Sequence, residues 1–252
     1  MSDFNRNVTA RGGFADRTAA VDAGLRAYML RVYNYMGAAV ALTGVVAWLC
    51  FQNAVVTNEA GAITGLTSFG QMILGGYTPI ILMLATLGLV FFISFRIHTL
   101  QYTTALALFM VYAALLGAAL TSIFVAYTGA SVARVFFISA ASFGALSLYG
   151  YTTQRDLSAM GSFLIMGLFG IIIASLVNIF LKSSGLDWAI SVIGVGVFAG
   201  LTAYDTQRIK EMYDSMDDDG TMGRKAIMGA LSLYLDFINL FLMLLRLVGD
   251  RR

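Results

Sequence analysis

Beyond Arg31 the chain is a succession of long apolar runs separated by short polar links. The runs fall at Val32 to Phe51, Pro79 to Phe95, Thr103 to Tyr127, Val132 to Tyr151, Gly161 to Leu181, Trp188 to Asp205 and Ala226 to Val248. Each is long enough to cross a lipid bilayer as a helix, for which roughly 20 mostly apolar residues suffice. The pattern predicts an all-α polytopic membrane protein with seven transmembrane helices and little chain left for an aqueous domain. Pro79, the only proline, stands at the start of the second run, where a helix tolerates a missing N–H. The expected organisation is a polar tail over residues 1–31, a transmembrane domain over 32–248 and a short C-terminal tail over 249–252.

Composition narrows the function classes. Hydrophobic residues make up 59% of the chain and charged ones 12%, far from soluble usage. A net charge of +2, with no Lys/Arg run interleaved with aromatics, carries no nucleic-acid signal. Cys50 is the only cysteine and His98 the only histidine, so no disulfide framework, CxxC motif or Cys/His metal site is expected. His98 reads as an interfacial residue, and no cofactor is called for. The opening tail mixes Arg6, Arg11, Arg17, Arg26 and Arg31 with Asp3, Asp16 and Asp22. Its acidic residues argue against a transit peptide, and the full-length first run argues against a cleaved secretory signal.

Orientation follows from the basic residues. The tail and the even loops hold eleven Lys and Arg, including Arg96, Arg155, Arg208, Lys210, Arg224 and Lys225; Arg134, Lys182, Arg246, Arg251 and Arg252 lie on the other side. That bias places the N-terminus in the cytosol. Seven crossings put the C-terminus outside, whereas a last segment that re-enters would return it, and hydropathy does not separate the two. Gly196 with Gly200, and Gly167 with Gly170, sit at helical spacing and read as generic sites of close helix packing.

Two aspartates carry the sharpest chemical signal. Asp205 stands in Leu201-Thr-Ala-Tyr-Asp-Thr-Gln-Arg-Ile-Lys210, and Asp236 in Leu231-Ser-Leu-Tyr-Leu-Asp-Phe-Ile-Asn-Leu-Phe241. An ionised carboxylate deep in a bilayer costs at least a few kcal/mol unless it faces the bundle interior, a partner or water. Helices six and seven are joined by one loop and should run antiparallel. If helix six ended at Asp205, the two carboxylates would differ in depth by about 15 Å. The favoured arrangement has helix six continue to about Tyr213 and helix seven begin near Gly223, which brings them to within about a turn in depth. Two close carboxylates cannot both ionise cheaply, so such a pair shares a proton and serves as a pH sensor. Ionised, it offers oxygen ligands to a hard cation such as calcium. The plainer reading makes Asp205 an interfacial residue beside Arg208 and Asn239 a packing polar group. Arg96 closes the second run and becomes a latch for the carboxylates only if helix two packs beside helix six. The acidic loop Glu211 to Gly220 fails as a calcium loop, because Gly220 as the invariant glycine puts Ala226 where a bidentate Glu belongs. Asp217, Asp218 and Asp219 then form a solvated acidic loop able to draw cations to a pore mouth.

At the two aspartate motifs the chain resembles the Bax inhibitor-1 family. The matching residues are Ala203-Tyr-Asp-Thr-Gln207 with Ile209, and Leu233-Tyr-Leu-Asp-Phe-Ile-Asn-Leu-Phe241 with Leu244, Leu245 and Arg246. Ser94-Phe-Arg-Ile97, Tyr112, Gly117, Ile123-Phe124 and Tyr127 are similar to the family's second and third helices. The resemblance implies six helices around a central seventh, and a pH-sensitive calcium leak controlled by a di-aspartyl pair falling on Asp205 and Asp236. It implies a bacterial inner-membrane setting, with calcium and protons as partners and calcium as the permeant or bound ion. Arg96 is the nearest counterpart of the family's second-helix arginine. An acidic residue of some relatives' second helix has no counterpart around Gly88.

Three functions follow as expectations. The first is a passive proton-gated cation leak. The second, an intramembrane aspartyl protease, has Tyr204-Asp205 but lacks the Gly-x-Gly before Asp236 and the Pro-Ala-Leu after it, so no enzyme is expected. The third is a non-conducting regulator that binds a membrane protease or a death-pathway partner.

Overall fold

The structure, a computed structural model, describes the backbone of residues 3–58 and 62–252, and the side chains on that backbone from Asp22 onward. The helices are α1 (Asp3–Ala54), α2 (Ser68–Leu74), α3 (Thr78–Arg96), α4 (Tyr102–Ala119), α5 (Thr121–Ala126), α6 (Gly129–Thr152), α7 (Ser158–Leu181), α8 (Ser184–Glu211) and α9 (Asp219–Val248). Strands β1 (Val55–Thr57) and β2 (Ile63–Leu66) form a small antiparallel hairpin between α1 and α2. Seven segments are long and apolar enough to cross a membrane: Asp22–Ala54, Thr78–Arg96, Tyr102–Ala126, Gly129–Thr152, Ser158–Leu181, Ser184–Glu211 and Asp219–Val248. The seven expected spans are therefore present, α4 and α5 together making the third. Of the expected polar tail, Asp3, Arg6, Arg11, Asp16 and Arg17 lie outside the residues whose side chains are described.

Local chemistry sets the helix ends. Pro79 lies in the first turn of α3. Thr128, Ser183 and Asp218 cap α6, α8 and α9 by accepting backbone N–H groups that the first turn leaves unpaired. Lys182, at φ 48°, ends α7 in the left-handed conformation. Hydropathy misplaced two ends that matter: α8 continues past Asp205 to Glu211, and α9 begins at Asp219, before Ala226. The charges there did not break the helices, because they find partners. Lys210 Nζ donates to the Tyr151 carbonyl at 2.9 Å, and Lys225 Nζ donates to the Met212 carbonyl at 3.0 Å and pairs with Asp217.

The last helix is the core. In its most apolar stretch 67% of residues are buried, against 11% in α3 and in α7. Leu231, Leu233, Tyr234, Leu240 and Leu245 of α9 are all essentially inaccessible. α8, α1, α6 and α4 pack directly on α9, while α3 lies outside against α4 and α7 outside against α8. α8 and α9 run antiparallel along their whole length: the Cα of Gly194 faces Met243, Asp205 reaches Asp236, Gly229 faces Ile209, and Met212 takes Lys225.

The two ends of the bundle are clearly distinguished. At one, the ring of Tyr28 in α1 packs on Tyr213 in the α8–α9 turn, with centroids 5.7 Å apart. At the other, the C-terminal residues are stitched to the α5–α6 turn: Arg252 N donates to Ala126 O at 3.0 Å, Thr128 N to Asp250 O at 3.1 Å, and Asp250 N to Ser131 Oγ at 2.8 Å. Arg246 of α9 pairs there with Asp187 of α8 at 3.6 Å. α9 thus crosses completely and does not re-enter, and its end lies on the face opposite the start of the first span.

Candidate functional site

Five consecutive residues of α8 reach four different parts of the molecule. Ala203 lies against α6 at Gly150, where a Cβ would come within 2.2 Å of the Ala203 carbonyl oxygen. The Tyr204 ring fills a notch left by Gly161 of α7, where a Cβ would sit 2.4 Å from the ring. Asp205 turns to α9. Thr206 Oγ1 meets Ser147 Oγ of α6 at 3.0 Å. Gln207 pins the α6–α7 loop with both ends of its amide, accepting from Leu157 N at 2.8 Å and donating to Arg155 O at 2.8 Å. Successive helical residues point about 100° apart, so a run of five unlike contacts requires a helix with neighbours on every side.

Within this frame the side chains of Asp205 and Asp236 are neighbours across the α8–α9 contact. The depth obstacle vanishes because α8 extends beyond Asp205 and the register of α8 on α9 sets the two residues level. Asp236 is only 5% exposed, and its Oδ2 has no hydrogen-bond partner among the described residues. Asp205 is half-buried. Asp236 lies about 18 Å along α9 from Val248, so the pair sits inside the membrane rather than at its surface. A hydrogen bond between two carboxyls needs a proton on one of them, since an ionised carboxylate only accepts.

Arg208, a turn beyond Asp205 on α8, is the basic residue close enough to act on that carboxylate. The latch expected of Arg96 is not formed. α3 packs on α4 and α2 rather than on α8, and Arg96 is exposed at its end with no ion pair among the described residues. Among the described residues no three His, Cys, Asp or Glu side chains come together as a metal cluster. Asp205 and Asp236 therefore supply at most two carboxylates to a cation, fewer than the 6–8 oxygens calcium ordinarily takes.

The acidic loop is more structured than its sequence implied. Asp217 is a half-buried partner of Lys225. Asp218 caps α9, and hydrogen bonds from the Thr221 hydroxyl and backbone hold its carboxyl below the usual carboxylate range. Asn239 donates to the Leu235 carbonyl of its own helix at 2.8 Å and is a packing residue, as the plainer reading had it.

Sequence reasoning missed a chain of hydroxyls beside the pair. Tyr33 of α1 meets Ser147 of α6 at 2.7 Å, Ser147 meets Thr206 of α8, and Thr206 donates to the Thr202 carbonyl at 2.7 Å. A second bridge joins Thr43 of α1, Tyr234 of α9 and the Ala113 carbonyl of α4, at 2.6 and 2.9 Å. Serine and threonine are ordinary in membrane helices and carry no position signal. Only the helix pairing shows which of them meet.

Comparison with known proteins shows the family of the chain. The family model described as "Inhibitor of apoptosis-promoting Bax1" matches residues 25–252. A protein of Rickettsia prowazekii is 49% identical over 257 residues, covering all of both chains. The inner membrane protein YbhL of Escherichia coli K12 is 49% identical over 232 residues, covering 91% of this chain and 94% of its own. A membrane protein of Streptococcus pyogenes is 36% identical over 235 residues, covering 90% of this chain and 94% of its own.

Proposed function

We propose that this chain, which belongs to the Bax inhibitor-1 family, is a pH-sensitive leak for calcium or a similar cation, gated by the Asp205–Asp236 pair. The observation that carries this reading is a carboxyl almost fully buried on the central helix, with a second carboxyl beside it. While the pair shares a proton, it ties α8 to α9, and this packing is the closed state of the proposed leak. Loss of that proton leaves two like charges in contact inside the membrane, which repel and draw in water or a cation. Because α8, α1, α6 and α4 all rest on α9, a shift of that helix repacks the whole bundle. The setting is an inner membrane, with the N-terminus and the α8–α9 turn on the cytosolic side. The inner-membrane setting is supported by the name of the E. coli relative, and the orientation by the excess of basic residues on that face.

The test is calcium flux into liposomes carrying the purified chain, measured across pH. Flux should change with pH in the native protein, and Asp236→Asn should flatten that dependence. A pH profile identical in the native and Asn proteins overturns the proposal. The family's description as an inhibitor favours a second reading, a regulator that binds a membrane protease or a death-pathway protein without conducting. Deleting the first 21 residues separates the two: a regulator loses its effect in cells while liposome flux persists.

A further inference from the structure

α1 and α6 both pack on the central helix yet scarcely on each other, and the hydrogen bond from Tyr33 to Ser147 bridges the space between them. Along this seam three cavities follow one another, of about 520, 280 and 520 Å³ from the C-terminal face to the N-terminal face. Val40, Phe136 and Phe237 line both the first and the second, and Phe143 both the second and the third, so the three form one groove. α9 floors the first two cavities, through Phe237, Ile238 and Phe241 in the first and Phe237 in the second.

Along the walls four glycines face open space. A Cβ built on Gly37 or Gly44 of α1, or on Gly129 or Gly144 of α6, would meet nothing within 4 Å. Glycines that serve helix packing behave differently here: a Cβ on Gly117 would come within 2.6 Å of the Thr43 carbonyl oxygen. The seam is thus an open channel facing the bilayer, of a size within the roughly 300–1,000 Å³ range of small-molecule sites.

Its chemistry is graded along its length. The middle cavity is wholly apolar, while Arg26, Tyr33, Ser147 and Tyr151 line the cavity at the N-terminal face. Arg26 makes no ion pair among the described residues. At the opposite end the cation is engaged: Arg252 donates from Nε to the Tyr127 carbonyl at 3.2 Å and lies over the Phe51 ring. An apolar groove with an available guanidinium at headgroup level is the layout of a phospholipid. From Arg26 an acyl chain filling half the hydrocarbon core, about 15 Å, runs through the N-terminal cavity and into the middle one.

We infer that the α1–α6 seam binds one anionic phospholipid of the bilayer, its phosphate at Arg26 and one acyl chain lying between Gly37 and Gly144 on the Phe143 and Phe237 rings. This inference does not depend on conduction. The test is native mass spectrometry of the full chain after equilibration with vesicles of equal phosphatidylglycerol and phosphatidylethanolamine. The native protein should retain one phosphatidylglycerol. Gly144→Leu and Gly37→Leu, which fill the seam, should lose it, while Gly88→Leu, equally open but on α3, should keep it. Arg26→Gln, which leaves the packing intact, should lower the preference for phosphatidylglycerol about fivefold. Equal retention in the native and Gly144→Leu proteins would mean ordinary annular lipid and overturn the inference. So would a lipid-free dimer that Gly144→Leu disrupts, because the seam would then hold a second copy of the chain.

Discussion

The central helix α9 has two unlike sides. Against α8 it is held along its full length, and α8 is held in turn by α6, with Gly150 set directly on the Ala203 backbone and Asp205 on Asp236. Toward α1 and α6 the same helix is the floor of an open groove whose walls are joined by the Tyr33–Ser147 hydrogen bond. Glycine occurs on both sides and does opposite things. In either place it costs about 0.5–1 kcal/mol of helix propensity relative to alanine. On the tight side, close backbone packing offsets that cost. On the open side no protein contact offsets it, so those glycines preserve space rather than contact. The bundle is rigid where the carboxylates meet and open where the membrane can reach its core.

The largest effect that would sharpen this contrast is expected at Gly150→Leu. A side chain there meets backbone and must push α6 off α8, destabilising the protein by about 3 kcal/mol, read as an early thermal unfolding transition in detergent. If Gly150→Leu unfolds no earlier than the native chain, the tight side is not tight. Next is Ser147→Ala, which cuts the hydroxyl chain at the seam and leaves Tyr33 without its partner. The expected loss is about 1 kcal/mol in the same assay. Gly144→Ala should act with the opposite sign, raising stability by about 0.5–1 kcal/mol, because the methyl meets open space and the helix gains propensity. Destabilisation there would break the comparison.

The smallest effect lies apart from both sides, at the start of α9. The Asp218 carboxyl is held below its usual range in the folded protein, so its cap is present above the ordinary carboxylate pKa and is lost as pH falls through the lowered folded value. Hydrogen exchange at Gly220 and Thr221 should quicken over that acidic range, and in Asp218→Ala it should be fast at every pH.

The spans were legible because hydropathy reports membrane depth directly, and all seven apolar runs became helices. The inner ends of α8 and α9 were legible only as the favoured extension to about Tyr213 and Gly223, because by hydropathy Lys210 and Lys225 look like surface residues until Tyr151, Met212 and Asp217 are seen to receive them. Asp236 was legible from the cost of its charge. Asp205 as its neighbour depended on those extended helix ends. Arg96 misled for a related reason: its position at a helix end was visible, but which helix lay beside it was not. The glycine pairs divided in the same way. Gly200 presses on Leu164 and Gly167 on Val197, while Gly196 and Gly170 face open space, a distinction that spacing alone cannot make.

The helix that organises this protein follows the other six spans along the chain. Six spans enter the membrane while the surface that will bury Tyr112, Thr43 and the inner face of α8 has not yet left the ribosome. Until α9 arrives, Asp205 has no carboxyl partner, and the early helices can form only provisional pairs. The bundle therefore closes only when α9 joins it as a central peg, and a nascent chain interrupted before residue 219 holds six candidate spans with no core to close upon.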